Sequence, residues 1–204
     1  MNVESGKLKP GEARCSAETT QEIIALDKVK APVWAASESY EYLGSDDISK
    51  DRYISADFAR AEMERMWTRT WQMACREEHI PEAGDYYVYD IGPYSFIVTR
   101  TGDGSVKAHF NACLHRGTKL KPSATAGFAN DLKCPFHGWT WNLDGSLKDI
   151  PERWDFPHLA GKPLCLPEAR VALRGGFVFI NMDHDAPSLE DYFGPAAMAH
   201  FDAW

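Results

Sequence analysis

Cysteine is scarce in this chain, with five in 204 residues. That is too few to staple a fold, so a disulfide scaffold is excluded and the thiols read as core residues or metal ligands. No apolar run approaches the length needed to cross a bilayer. The opening Met1-Asn2-Val3-Glu4-Ser5-Gly6-Lys7 has no apolar signal core, so a cytosolic (cytoplasmic) protein without membrane attachment is expected. Basic charge is short too: the net charge of −8 argues against nucleic acid as a partner. Internal repeats and low-complexity tracts are missing. With 44% hydrophobic and 25% charged residues, disorder is excluded as a description of the whole chain.

The charge is unevenly placed. Residues 101–150 carry six Lys/Arg against four Asp/Glu, while the other 154 residues carry 16 against 26. Residues 1–50 hold one short helical candidate, Glu22–Leu26, and breakers at Pro10, Pro32 and Gly44, and read as an N-terminal arm. Ser55 can cap a helix whose Phe58, Glu62 and Met66 fall four apart, to about Trp71. Strand patterns follow at Asp85–Ile91, Tyr94–Thr101 and Val106–Cys113. Asp103-Gly104, Asp144-Gly145 and Gly175-Gly176 mark three hairpins, the second joining Trp139–Leu143 to Ser146–Ile150 and the third leading into Phe177–Ile180. Short strands with turn signals between them predict a mainly β fold, an antiparallel β-sandwich. Ser188-Leu189-Glu190-Asp191 predicts a capping box for a last helix running to Trp204 without a stop signal. The resulting division is an arm over 1–50, a β domain with its preceding helix over 51–187, and a helix start over 188–204.

The chemistry lies in Cys113-Leu114-His115-Arg116-Gly117 and Cys134-Pro135-Phe136-His137-Gly138-Trp139. Each loop offers one thiolate and one imidazole, then a glycine that lets the backbone turn tightly. Such loops can point Cys113 and Cys134 at one iron and His115 and His137 at another, the ligand division of a Rieske [2Fe–2S] cluster. A single zinc on the same four residues is the alternative. Zinc spacing usually pairs cysteine with cysteine and histidine with histidine, so the mixed order fits it poorly.

At these residues the chain resembles the N-terminal, Rieske part of the alpha subunit of Rieske non-haem iron aromatic ring-hydroxylating oxygenases. Supporting pieces are Trp71 through Cys75-Arg76, Ile80-Pro81 with Gly84-Asp85-Tyr86, Asn142-x-Asp144-Gly145, and Gly176 through Asp183. The resemblance implies one [2Fe–2S] cluster per chain on Cys113, His115, Cys134 and His137. It implies electrons from a reductase or ferredoxin, passed toward a mononuclear non-haem iron in a C-terminal catalytic domain that oxygenates aromatic hydrocarbons. It also implies a trimer, with or without beta subunits. After His137 come only His158, His184 and His200, with no close pair for an iron site, so the chain is expected to be a truncated piece that transfers electrons without oxygenating. A free-standing Rieske-type ferredoxin and a zinc-stabilised interaction module are the other readings. High-potential respiratory Rieske proteins add a disulfide and a serine near the cluster; the corresponding positions here are Thr118, Phe136 and Trp139, which implies a low potential.

Other residues read more plainly. His109, on the strand face of Lys107, is expected at the surface or hydrogen-bonded. Cys75 and Cys165 read as buried free thiols and Cys15 as a tail residue. Met63, Met66, Trp67 and Trp71 read as core, and Asp183-His184-Asp185 as a polar turn. Arg116 could hold a carboxylate. Arg116, Lys119, Lys121 and Lys133 could together steer an acidic electron donor.

Overall fold

The computed structural model describes residues 20–26, 28–31 and 47–202, and the chain divides into two units, residues 1–50 and 51–204. In the first, the helical candidate becomes α1, Thr20–Ala25; Cys15, Pro10, Pro32 and Gly44 lie outside the described residues.

The second unit opens with α2, Asp51–Ile54, and α3, Ala56–Glu62. Ser55 caps α3 as expected, its Oγ accepting the Phe58 N–H at 3.3 Å. The helix continues as one π-turn, Met63–Trp67, and ends short of Trp71. Trp71 is claimed elsewhere: its indole donates to the Pro187 carbonyl at 3.1 Å and its ring packs with Phe179 and Leu189. Met66 and Trp67 are exposed, contrary to the core role expected of them.

Seven strands form one antiparallel sheet: β1 Gln72–Arg76, β2 Asp85–Ile91, β3 Tyr94–Arg100, β4 Val106–Phe110, β5 Ala126–Phe128, β9 Glu168–Arg174 and β10 Phe177–Asn181. Their order is β1-β10-β9-β4-β3-β2-β5. A smaller antiparallel sheet holds β6 Leu132–Lys133, β7 Thr140–Trp141 and β8 Leu147–Asp149. The three glycine turns stand where the sequence places them. Gly175 and Gly176 both have positive φ, 56° and 76°, as a two-residue hairpin requires.

The large sheet folds over at the β4–β9 joint, which pairs only Ala108 with Ala169 and His109 with Glu168. Strands β1 and β10 then face β2 and β3. Ala74, Cys75, Val178 and Ile180 share one core with Phe96, Val98 and Ala108, and Tyr89 donates across it to Gln72 Oε1 at 2.8 Å. This is the antiparallel sandwich the pattern predicts.

Alternation along β2 and β3 supplies a second core on the opposite face. Val88 and Ile97 point away from Phe96 and Val98, into a cluster with Leu132, Trp139, Trp141, Ile150, Leu166, Cys113 and Cys134. The small sheet therefore docks on the back of β2–β4. Thr99 Oγ1 donates to the Leu143 carbonyl at 2.8 Å. His109 is fully buried there, both ring nitrogens without a partner. Its strand face is the expected one, but the Asp144-Gly145 hairpin covers it: a Cβ on Gly145 would come within 2.4 Å of the ring.

The last helix, α4, spans Leu189–Phe201, with Ser188 Oγ accepting the Asp191 N–H at 3.1 Å. It does not run unbroken. Gly194 sits at φ 72°, ψ 169°, because the residue before proline avoids the helical region and Pro195 then restarts the turn. Trp204 lies outside the described residues.

Candidate iron–sulfur site

Two loops at one end of the small sheet carry the four predicted residues, and their backbones repeat one another. In the first, the Cys113 N–H donates to the Thr118 carbonyl at 2.9 Å and Cys113 O accepts from Gly117 N at 2.8 Å. In the second, Cys134 N donates to Trp139 O at 2.8 Å and Cys134 O accepts from Gly138 N at 3.1 Å. Both closures need the left-handed backbone that the following glycine supplies, φ 73° at Gly117 and 74° at Gly138. A Cβ at Gly138 would also press Pro151 Cγ at 3.1 Å.

The loops sort their donors by depth. Cys113 and Cys134 are 2% and 3% exposed, inside the second core, and their thiols neighbour each other. His115 is half-buried and His137 exposed, ring centroids 4.7 Å apart. Among the described residues, no group of three or more His, Cys, Asp or Glu stands together as a ready-made metal site. The four donors form instead a thiol pair beneath an imidazole pair, which suits a two-iron centre better than one tetrahedral zinc.

Aromatic rings hold His115. It lies flat on Trp139 (centroids 5.0 Å apart, planes 4° apart) and edge-on to Phe156 at 5.7 Å. Its Nδ1 is buried without a hydrogen-bond partner, an atom that a metal would satisfy. Burial holds its pKa below the usual histidine range, and the His137 and Arg116 charges push the same way; the neutral ring is the form that can ligate. Burial pushes the Cys113 thiol up, and the Cys134 sulfur beside it adds to the rise. The His115 backbone N–H and the Trp141 indole act in the opposite direction.

Asn111, which the sequence reading passed over, anchors the first loop from beneath. It is buried, its Oδ1 accepts from Leu120 N and Lys121 N at 2.9 and 3.0 Å, and its Nδ2 donates to Lys121 O and Ser95 Oγ at 2.8 and 3.1 Å. Phe156 and Trp141 were also passed over. An Asn two residues before the first candidate ligand is the kind of turn-fixing signal that could have been weighed.

The basic group around the loops is weaker than its sequence suggests. Lys119 Nζ lies 3.3 Å from Asp90 Oδ1, and Lys121 Nζ sits 4.6 Å over the Tyr86 ring. Arg116 and Lys133 are exposed and make no ion pair among the described residues, so Arg116 holds no carboxylate. Asp183-His184-Asp185 is a turn, with Asp185 N donating to Asp183 Oδ1 at 2.9 Å. Cys75 is buried, its thiol pushed up to about 12 chiefly by desolvation. Cys165 is exposed, contrary to expectation; it is bridged to Ser146, and its neighbours Leu164 and Leu166 pack on the second core in its place.

Residues 70–160 match the family described as the Rieske [2Fe–2S] domain, and this part of the chain is such an iron–sulfur domain, folded as antiparallel β-sheet. Over that region the chain is homologous to alpha or large subunits of aromatic dioxygenases. It is 38% identical over 145 residues to the chlorobenzene dioxygenase alpha subunit of Cupriavidus sp., covering 71% of this chain and 32% of that one. The structure of naphthalene 1,2-dioxygenase from Rhodococcus sp. bound to indole superposes with a TM-score of 0.65 at 34% identity, over 71% of this chain and 33% of that one. A quaternary ammonium Rieske monooxygenase gives 0.69 at 28% identity, over 76% and 45%. The chain spans about a third of the length of these curated relatives. No helix among the described residues is long and apolar enough to cross a membrane.

Proposed function

We propose that Cys113 and Cys134 hold the inner iron and His115 and His137 the outer iron of a [2Fe–2S] cluster, and that the chain is the electron-transfer portion of an aromatic ring-hydroxylating oxygenase alpha subunit. The observation that carries this reading is the depth sorting: two thiols inside the core and two imidazoles at the rim of matched loops. Bound there, the cluster supplies a one-electron store. The chain's own residues exclude water from the thiol side through Trp139, Trp141, Leu132 and Ile150, orient His115 between Trp139 and Phe156, and leave His137 open to a redox partner. That partner is a reductase or ferredoxin on the supply side. On the delivery side it is a mononuclear iron held by a catalytic domain. In this reading residues 1–50 are an arm, 51–187 the Rieske domain with its leading helix, and 188–204 the lead into the catalytic domain of a cytoplasmic trimer, with or without beta subunits.

The test is the purified chain itself. Two irons and two labile sulfides per chain, a red-brown spectrum and a Rieske electron-spin signal after dithionite are expected, with His115→Ala and His137→Ala abolishing the signal. A colourless protein with one zinc per chain would overturn the assignment.

A further inference from the structure

The chain leaves the small sheet at Asp149 and rejoins it where Leu147 N donates to Leu164 O at 2.9 Å. Between the two it makes two short 3₁₀ turns, Arg153–Asp155 and Pro157–Leu159. This detour encloses a cleft of about 260 Å³. Its apolar lining is the edge of the second core: Ile150 is buried, and Leu147, Leu159 and Leu164 are half-buried against that cluster. Arg153 and Lys162 line it as well, both exposed and neither in an ion pair among the described residues. No acidic side chain lines it. The Ser146 hydroxyl at its edge is already engaged, donating to Asp144 Oδ1 and accepting from Asn142 Nδ2. A second cleft, of about 650 Å³, differs in charge: Asp103 and Asp144 line it together with Lys107, and Lys107 is paired with Glu168. That cleft carries both signs, whereas the smaller one sets two unpaired cations over leucine.

We infer that the smaller cleft binds a compact carboxylate with an apolar body of one ring, a benzoate-like anion. A dry cavity of about 150 Å³ is enough for benzene, so 260 Å³ admits one ring with a charged group attached. Leucine side chains that border empty space lack partner atoms there, and an apolar body supplies them. The carboxylate pairs with Arg153, whose planar guanidinium can take both oxygens, and with Lys162 as a point charge. An uncharged ring forgoes the ion pair, and acetate forgoes the leucines. None of these residues is a candidate iron ligand. Phe156 nevertheless lies in the same loop, edge-on to His115 at 5.7 Å and to Trp139 at 5.2 Å, and its carbonyl accepts Leu159 N at 3.0 Å. A ligand against Leu159 therefore steadies the segment that flanks His115, and amide exchange in that loop slows.

The experiment titrates benzoate into the whole chain by calorimetry, with acetate and benzyl alcohol as comparisons. Saturable binding of one benzoate per chain is expected, with acetate and benzyl alcohol each about tenfold weaker or more. Arg153→Gln and Lys162→Gln should each weaken benzoate about fivefold, and the double variant more than either. Arg60→Gln, an exposed cation on α3, should change nothing. Benzoate should also slow amide exchange over residues 146–164 while leaving β3 unaffected. No saturable binding up to about 20 mM, benzyl alcohol binding as tightly as benzoate, or undiminished affinity in the double variant would overturn the inference. Should that variant fail to fold, the wild-type exchange map decides, and protection confined to other segments would overturn it equally. Iron and spectrum are read on the same sample. A Rieske spectrum without benzoate binding would refute the cleft alone, and benzoate binding by a colourless protein would refute the ligand assignment alone.

Discussion

Strands β3 and β4 pair at five positions and lay Phe96, Val98 and Ala108 into a core closed by β1 and β10. Strands β6 and β7 pair at two positions, and the sheet they belong to has three members of two or three residues each. A sheet that short is marginal by itself. Its second core, moreover, encloses two thiols and the unpartnered Trp141 Nε1, and His115 Nδ1 and both His109 ring nitrogens are buried without partners beside it. The large sheet is held by apolar burial and its ladder. The small one needs what binds at its loops as well, since metal binding contributes folding free energy where no preformed site exists in the unfolded chain. Rigidity and chemistry are divided between the two.

Cys134→Ser should break this division most severely. We expect complete loss of the iron–sulfur chromophore, with amide exchange accelerating across β6–β8 while β3 and β4 keep their protection. Equal loss in both sheets would mean that they unfold as one cooperative unit. Phe96→Ala attacks the other side. Phe96 is fully buried, with its ring 4.6 Å from that of Phe110, and truncation should cost about 3–5 kcal/mol in the urea midpoint. The visible spectrum below the transition should be unchanged; a shifted spectrum would show that the sandwich core sets the cluster's environment directly.

The seam between the sheets is expected to be pH-sensitive through His109. Burial holds its pKa below the usual value, against the opposing pull of Glu168, the Leu166 backbone and Asp144 and with the help of Lys107. The folded state therefore keeps the ring neutral while the unfolded chain takes up a proton below its ordinary pKa of about 6.5. Stability from this group is full above that pH and falls as pH drops through it, by at most about 1.4 kcal/mol per unit for one proton. His109→Leu should flatten this part of the stability–pH curve and leave the Rieske spectrum intact; an unchanged slope would place the titration elsewhere.

The smallest effect concerns the rim. Lys119 is already paired with Asp90 and Lys121 lies over Tyr86, so Lys119→Gln should change the salt dependence of reduction by an acidic donor less than Arg116→Gln does. Stopped-flow rates across an ionic-strength series would check the order.

The four ligand candidates, the glycine turns and the strands β2, β3, β4 and β10 were all legible by inspection. Ligand chemistry and turn geometry depend on residue type at close spacing, and alternation is a local pattern. Strands β1 and β9 were not. Glu168–Arg174 carries helix-forming residues and becomes a strand because β10 pairs with it at five positions and β4 at two, tertiary pairing overriding local propensity. The break at Gly194-Pro195 was local and was missed. His109 shows the other limit. Its strand face follows from the two-residue period, whereas its burial follows from a hairpin some 35 residues away. The sequence by itself thus determined which residues are candidates to bind iron and where the chain turns. Only the tertiary structure decided which donors are deep and which are open, because depth depends on what distant segments lay over a side chain.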